Sequence, residues 1–114
     1  MAVNLQTDYA VDSGDVSLTI TIGDGQLGSS LVRLNDKELG IGEIDRLKVG
    51  KGSAIAGKEL FIKTVVTDVN DKTDHTSVRY ELKGGASDQT FDLDGSVDEE
   101  GGSVIYRATF NLIK

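Results

Sequence analysis

Three observations set the fold class. Apolar residues recur at alternate positions along most of the 114-residue chain. Turn residues interrupt that alternation about every dozen residues, and no segment carries a clean 3.6-residue apolar stripe. Together they predict an all-β domain, an antiparallel two-sheet sandwich of seven or eight strands with at most one short helical turn. Residues 1–114 are expected to form one domain. A chain of this length buries roughly two thirds of its unfolded surface in a single core, and no repeat, low-complexity tract or linker divides it.

Val3, Leu5, Thr7, Tyr9 and Val11 alternate with polar neighbours, so the opening segment reads as a half-buried strand ending at the Asp12–Asp15 turn. Val16, Leu18, Ile20 and Ile22 then point one way and Ser17, Thr19 and Thr21 the other. The β-branched residues on both faces favour the extended backbone. Gly23, Gly25 and Gly28 punctuate the following loop. Ser30–Leu39 reads equally as the single helical turn, capped by Ser30 and ended by Gly40, or as a short strand through Leu34 turning at Asn35–Asp36. Ile44–Val49 is a short strand closed by Gly50–Gly52, and Ser53–Lys58 is a small-residue connection.

Glu59–Gly85 is the stretch around which the chain is expected to be organised, two long strands joined by a polar loop as a hairpin. Leu60, Ile62, Thr64 and Val66 alternate with Phe61, Lys63, Val65 and Thr67, and apolar residues on both sides mark a central strand. Val78, Tyr80 and Leu82 face inward on its partner. A short Thr90–Leu93 segment, an acidic stretch Asp92–Glu100, and a last strand with Val104, Tyr106, Ala108, Phe110 and Leu112 on one face complete the chain.

Nineteen acidic against twelve basic residues give a net charge of -7, which argues against nucleic acid as a partner because phosphate affinity comes from lysine and arginine. The charge is uneven. Residues 1–30 hold four carboxylates and no Lys or Arg, while residues 46–83 hold eight basic and five acidic side chains. No apolar run approaches the roughly 20 residues of a membrane span, and the opening residues lack the basic and apolar regions of a leader. As written, the chain reads as cytoplasmic, or as secreted or periplasmic if a leader has been removed. With no cysteine, disulfides and thiolate chemistry are excluded. With no proline either, sheet edges must be blunted by lysines, bulges or glycines, or be paired with another chain.

Gly23, Gly25 and Gly28 match G-x-G-x-x-G, but the strands on either side supply no helix N-terminus to receive a pyrophosphate. His75, the sole histidine, sits beside Asp74, Thr76 and Ser77, whose side chains diverge on a strand and do not compose a triad. The acids carry the clearest chemical pattern. Asp68, Asp71 and Asp74 fall at close spacing in one loop and Asp92, Asp94 and Asp98 in another. If the loops converge, these six carboxylates form a candidate calcium site, since calcium takes six to eight hard oxygen ligands. Local turn chemistry explains the same residues without a metal.

Asp68, Asn70 and Asp71 resemble the Asp-x-Asn-Asp part of the cadherin calcium linker, with Lys72 in place of the expected asparagine and no proline after it. Asp92, Asp94 and Glu100 resemble the calcium loop of C2 domains, sandwiches whose topology is an alternative for this chain. The strand pattern with the Gly23, Gly25, Gly28 loop is similar to immunoglobulin-like and fibronectin type III domains and to the ApaG-type sandwiches.

The expected function is a non-catalytic binding or structural module with no required cofactor. Its partner is a protein, including a second copy of itself through a strand edge. The alternatives are a calcium-dependent module built on the six aspartates, and a small carbohydrate-binding or hydrolytic sandwich. The last would need stacking aromatics from a set without tryptophan, namely Tyr9, Tyr80, Tyr106, Phe61, Phe91 and Phe110.

Overall fold

A computed structural model describes residues 2–99 and 101–114. Its strands are β1 (Ala2–Ala10), β2 (Asp15–Ile22), β3 (Leu27–Leu34), β4 (Lys37–Gly42), β5 (Leu47–Lys51), β6 (Glu59–Thr67), β7 (His75–Lys83), β8 (Gln89–Ser96) and β9 (Ser103–Ile113), with one helical turn, α1 (Gly52–Ile55), after β5. They form two packed sheets, one of five strands in the order β1-β9-β6-β3-β4 and one of four in the order β5-β2-β7-β8. The all-β two-sheet sandwich is as expected, with nine strands in place of seven or eight.

Three features depart from the expectation. Of the two readings of Ser30–Leu39 the strand through Leu34 turning at Asn35–Asp36 is the one that forms, and the helical turn does not, because Asn35, at φ 50, reverses the chain into β4 and its side-chain oxygen accepts the Glu59 N–H at 2.9 Å. The helical turn lies instead at Gly52–Ile55, where a Cβ on Gly52 would fall 1.8 Å from the Asp12 carbonyl. All pairs are antiparallel except β1 with β9, which run parallel from Ala2↔Ile105 to Ala10↔Ile113. The parallel pair follows from chain path, since β1 and β2 lie in opposite sheets and β1 is free to join the last strand.

The third departure concerns Glu59–Gly85. Both strands form where expected, and β6 is central between β9 and β3, as its two-sided apolar pattern requires. They do not pair with each other. β6 belongs to the five-stranded sheet and β7 to the other, so residues 68–74 are an arch that carries the chain across the sandwich. The hairpin partner of β7 is β8, in register from His75↔Ser96 to Leu82↔Gln89.

The inward faces of both sheets meet in one core. Leu60, Ile62, Val66, Val104, Ala108 and Phe110 from the larger sheet pack on Val16, Leu18, Val78, Tyr80 and Leu82 from the smaller, all fully or almost fully buried. Phe110 is the aromatic hub, edge-on to Tyr80 at 6.2 Å and tilted against Phe91 at 5.0 Å. The half of the core toward the arch turns polar. Ser30 and Thr64 share a buried hydrogen bond of 2.7 Å, and Thr76 bonds Tyr106 Oη across the sheets. Tyr80 Oη is buried with no hydrogen-bond partner. Its burial pushes the phenol up to about 12, a rise partly offset by the nearby Thr64 hydroxyl.

Candidate functional site

The β2–β3 connection begins as a tight turn. Asp24 and Gly25 both take positive φ, 59° and 70°, and the Gln26 N–H donates to Gly23 O at 3.2 Å. This primed turn geometry suits glycine and aspartate. It aims Gln26 inward, where the amide is only 6% exposed. Gln26 Oε1 accepts the N–H groups of Val69 and Asn70, at 2.7 and 2.9 Å. Its Nε2 donates to the carbonyls of Thr73 and His75, at 3.2 and 3.0 Å. One side chain therefore satisfies four main-chain groups, three in the arch and one at the start of β7, in a partly buried setting.

Beside this turn lies a cleft of about 430 Å³, within the size range of ligand sites. β2 pairs with β5 only over Asp15–Leu18, so Thr19–Ile22 run on past their edge partner. β3 pairs with β4 only over Ser30–Leu34, so Leu27–Ser29 do the same in the other sheet. The two overhangs form the walls. Residues 42–45 close the base, where Ile44 O accepts the Ile20 N–H at 2.9 Å. Main-chain groups alternate in direction along a strand. Since the Gly23 N–H turns the other way to Ser77 O, Ile22 presents its N–H and carbonyl on the same side as Ile20, beyond the point where Ile44 takes the Ile20 N–H. Leu27, 66% exposed, stands at the rim. Glu43 and Asp45 are the only charged side chains in the lining.

The six aspartates separate into distinct settings. The arch and the segment that follows β8 meet at their bases. The Asp68 N–H donates to Gly102 O at 2.9 Å and the Val97 N–H to Asp74 O at 3.0 Å. Asp68 is 3% exposed, and among the described residues neither carboxylate oxygen has a hydrogen-bond partner. Asp71, Asp74 and Asp98 are exposed in the loops. Asp92 and Asp94 lie not in a loop but on β8, exposed on its outer face, where Asp92 pairs with Arg79 Nε at 2.8 Å. That pair accounts for the raised Arg79 pKa. Glu100 lies outside the described residues. Among the described residues, no three His, Asp or Glu side chains come together as a metal-ligating group.

His75 Nε2 stands 3.9 Å from Asp24 Oδ2, a loose and half-exposed pair. Of the aromatic rings, Tyr9, Tyr80, Tyr106 and Phe110 are buried and Phe91 packs against the core, leaving Phe61 half-buried on the outer face of β6. No helix among the described residues is long and apolar enough to cross a membrane.

Neither the cleft nor the role of Gln26 was visible in the pattern of residues, which marked Gly23–Gly28 only as a glycine loop. The signal that existed was the mismatch in length between β2 and the short Ile44–Val49 segment that borders it. Comparisons with protein-family models, with curated proteins and with solved structures gave no match.

Proposed function

We propose that this protein is a non-catalytic binding module whose ligand is an extended polypeptide segment, taken into the cleft between β2 and β3 as an added strand. The observation that supports this reading is the double overhang, Thr19–Ile22 on one wall and Leu27–Ser29 on the other. An incoming strand gains main-chain hydrogen bonds from such an edge, and side chains lining the groove select among sequences. Glu43 and Asp45 favour a segment bearing basic rather than acidic residues. Selection from a displayed random peptide library tests it. Enriched peptides should shift the amide resonances of Ile20, Ile22, Leu27 and Gly28 and lose binding to Gly28→Val, where the first added carbon already meets Ile22 Cδ1 at 2.8 Å. Enrichment that is equal on Gly28→Val would end the proposal.

A calcium-dependent module is the second reading, favoured by one observation, the buried and unpartnered Asp68 carboxylate beneath the junction of residues 68–74 and 97–102. A cation that binds only the folded chain raises its melting temperature by mass action. The expected result is a rise in millimolar calcium relative to chelator that disappears in Asp68→Asn. An unchanged melting temperature removes this reading.

A further inference from the structure

A strand at the edge of a sheet leaves a row of main-chain donors and acceptors open, and folds usually blunt it with charge, proline or a bulge. The four edges here are β1 and β4 in one sheet and β5 and β8 in the other. β4 is short, carries Lys37 and Glu38, and pairs through an irregular register. β5 has five residues, an irregular register, and Lys48 and Lys51. β8 carries Asp92 and Asp94. β1 has none of these devices. Its nine residues contain no lysine, proline or glycine, Asp8 is its only charge, and its register with β9 is unbroken.

Only the far end of β1 is covered. The Ala86 N–H donates to Ala10 O at 3.0 Å and Tyr9 Oη donates to Ser87 O at 2.9 Å. Among the described residues, no backbone hydrogen bond from outside β9 reaches residues 2–8. Their second edge is open. Val3 and Leu5 lie partly exposed at this rim, packed against the core from one side only.

We infer that the Ala2–Asp8 edge pairs with the same edge of a second copy of this chain, antiparallel about a two-fold axis at Leu5. In that register Leu5 faces its own counterpart, Asn4 faces Gln6 of the copy, Val3 faces Thr7 and Ala2 faces Asp8. Two exposed amides meet across the outer face, and the half-buried apolar side chains cover one another. Charge selects this edge for self-association. A two-fold pairing through β5 sets lysines near lysines, and one through β8 sets carboxylates near carboxylates, each costing stability. β1 brings together two strands of one charge each, with the two Asp8 side chains at opposite ends of the pairing. The joined sheets make one continuous ten-stranded surface, and the contact is isologous, so it closes at a dimer.

This inference is independent of the cleft, which lies on the opposite side of the sandwich. Sedimentation equilibrium from micromolar to millimolar concentration should show the mass of a dimer at the upper end. Asn4→Lys with Gln6→Lys, at two exposed positions, places lysines opposite each other and should return the protein to a monomer with an unchanged melting temperature. The chain has no cysteine, so Leu5→Cys is a unique reporter. Facing residues on antiparallel strands lie about 4.5–5.5 Å apart between Cα atoms, within disulfide reach. Oxidised Leu5→Cys should therefore run as a covalent dimer, whereas Asn4→Cys, offset by two positions from its own counterpart, should not. A monomer at every concentration overturns the inference, as does a dimer that survives the lysine pair. Gly28→Val should leave assembly untouched, so the two proposals fail separately.

Discussion

Gln26 Oε1 accepts the backbone N–H of Val69 at 2.7 Å over a sequence separation of 43 residues, and this bond ties the β2–β3 turn to the arch between the sheets. Truncating the side chain removes the partner of four main-chain groups, three in the arch and one at the start of β7. Gln26→Ala is expected to cost about 3 kcal/mol of stability in urea denaturation, in line with the penalty for buried orphaned donors. Amide exchange at Val69 and Asn70 should accelerate more than at Leu60 or Ile62. Equal protection in both proteins would show that the arch holds itself.

Tyr80 tests the cost of a buried hydroxyl that lies near the Thr64 hydroxyl without reaching hydrogen-bond geometry with any described residue. Tyr80→Phe keeps the ring against Phe110 and removes only the oxygen, so stability should stay level or rise by up to about 1 kcal/mol. A loss above that would mean that the hydroxyl has a partner in solution.

The same residue sets an alkaline limit. Burial raises the Tyr80 pKa from 10.0 to about 12 in the folded chain, so the unfolded chain releases this proton first. The contribution is fully present below pH 10 and is lost as pH climbs from there through about 12, for a total of about 3 kcal/mol at 1.36 kcal/mol per unit. Burial also raises Tyr9 and Tyr106, and both shifts act in the same direction. Denaturation midpoints measured from pH 8 upward, about two units below the ordinary phenol range, should fall steeply in the wild type and less so in Tyr80→Phe.

Gly84 ends β7 at φ +89°, and a Cβ there would lie 1.8 Å from Asp15 O. Gly84→Ala combines a left-handed backbone with a collision against main chain that cannot rotate away. The expected loss is about 2 kcal/mol or more. Gly101, also at positive φ but with open space around it, should lose about 1 kcal/mol when changed to alanine, and thermal melts of the two variants make the comparison.

Asp68→Asn replaces a buried carboxylate for which the described residues supply no hydrogen-bond donor. In chelator the variant is expected to gain about 1 kcal/mol or more over the wild type, because an unpaired carboxylate costs more to bury than a neutral amide. Chemical denaturation at neutral pH reads the difference, and a loss of stability would indicate an unseen partner.

The strands were legible because a single physical rule, alternation, governs which side chain is buried. Val16–Ile22, Val78–Leu82 and Val104–Leu112 lie buried or half-buried on the positions that period two assigns. The same rule is silent on which sheet a strand joins. Glu59–Thr67 and His75–Lys83 satisfy a hairpin and an arch equally well, and the choice falls to Gln26, far away in sequence. Asn35–Asp36 shows a different limit, since a Ser-started, Gly-ended stretch satisfies helix capping signals while Asn35 at positive φ makes a turn. The acids of Asp92–Glu100 suggest a ligand loop, although Asp92 and Asp94 alternate with Phe91 and Leu93 and belong to β8. The cleft was illegible because it arises from where two pairings stop, a property of register and not of any residue.

The parallel pairing of β1 and β9 governs how the module bears load. Because the first and last strands lie side by side and point the same way over nine residue pairs, tension drawn between the start of β1 and the end of β9 acts along the strands. The interstrand hydrogen bonds are then sheared together instead of being opened one after another like a zipper. A sandwich strung into a longer chain through these two ends would resist extension at this sheared seam, with the rest of the fold shielded behind it.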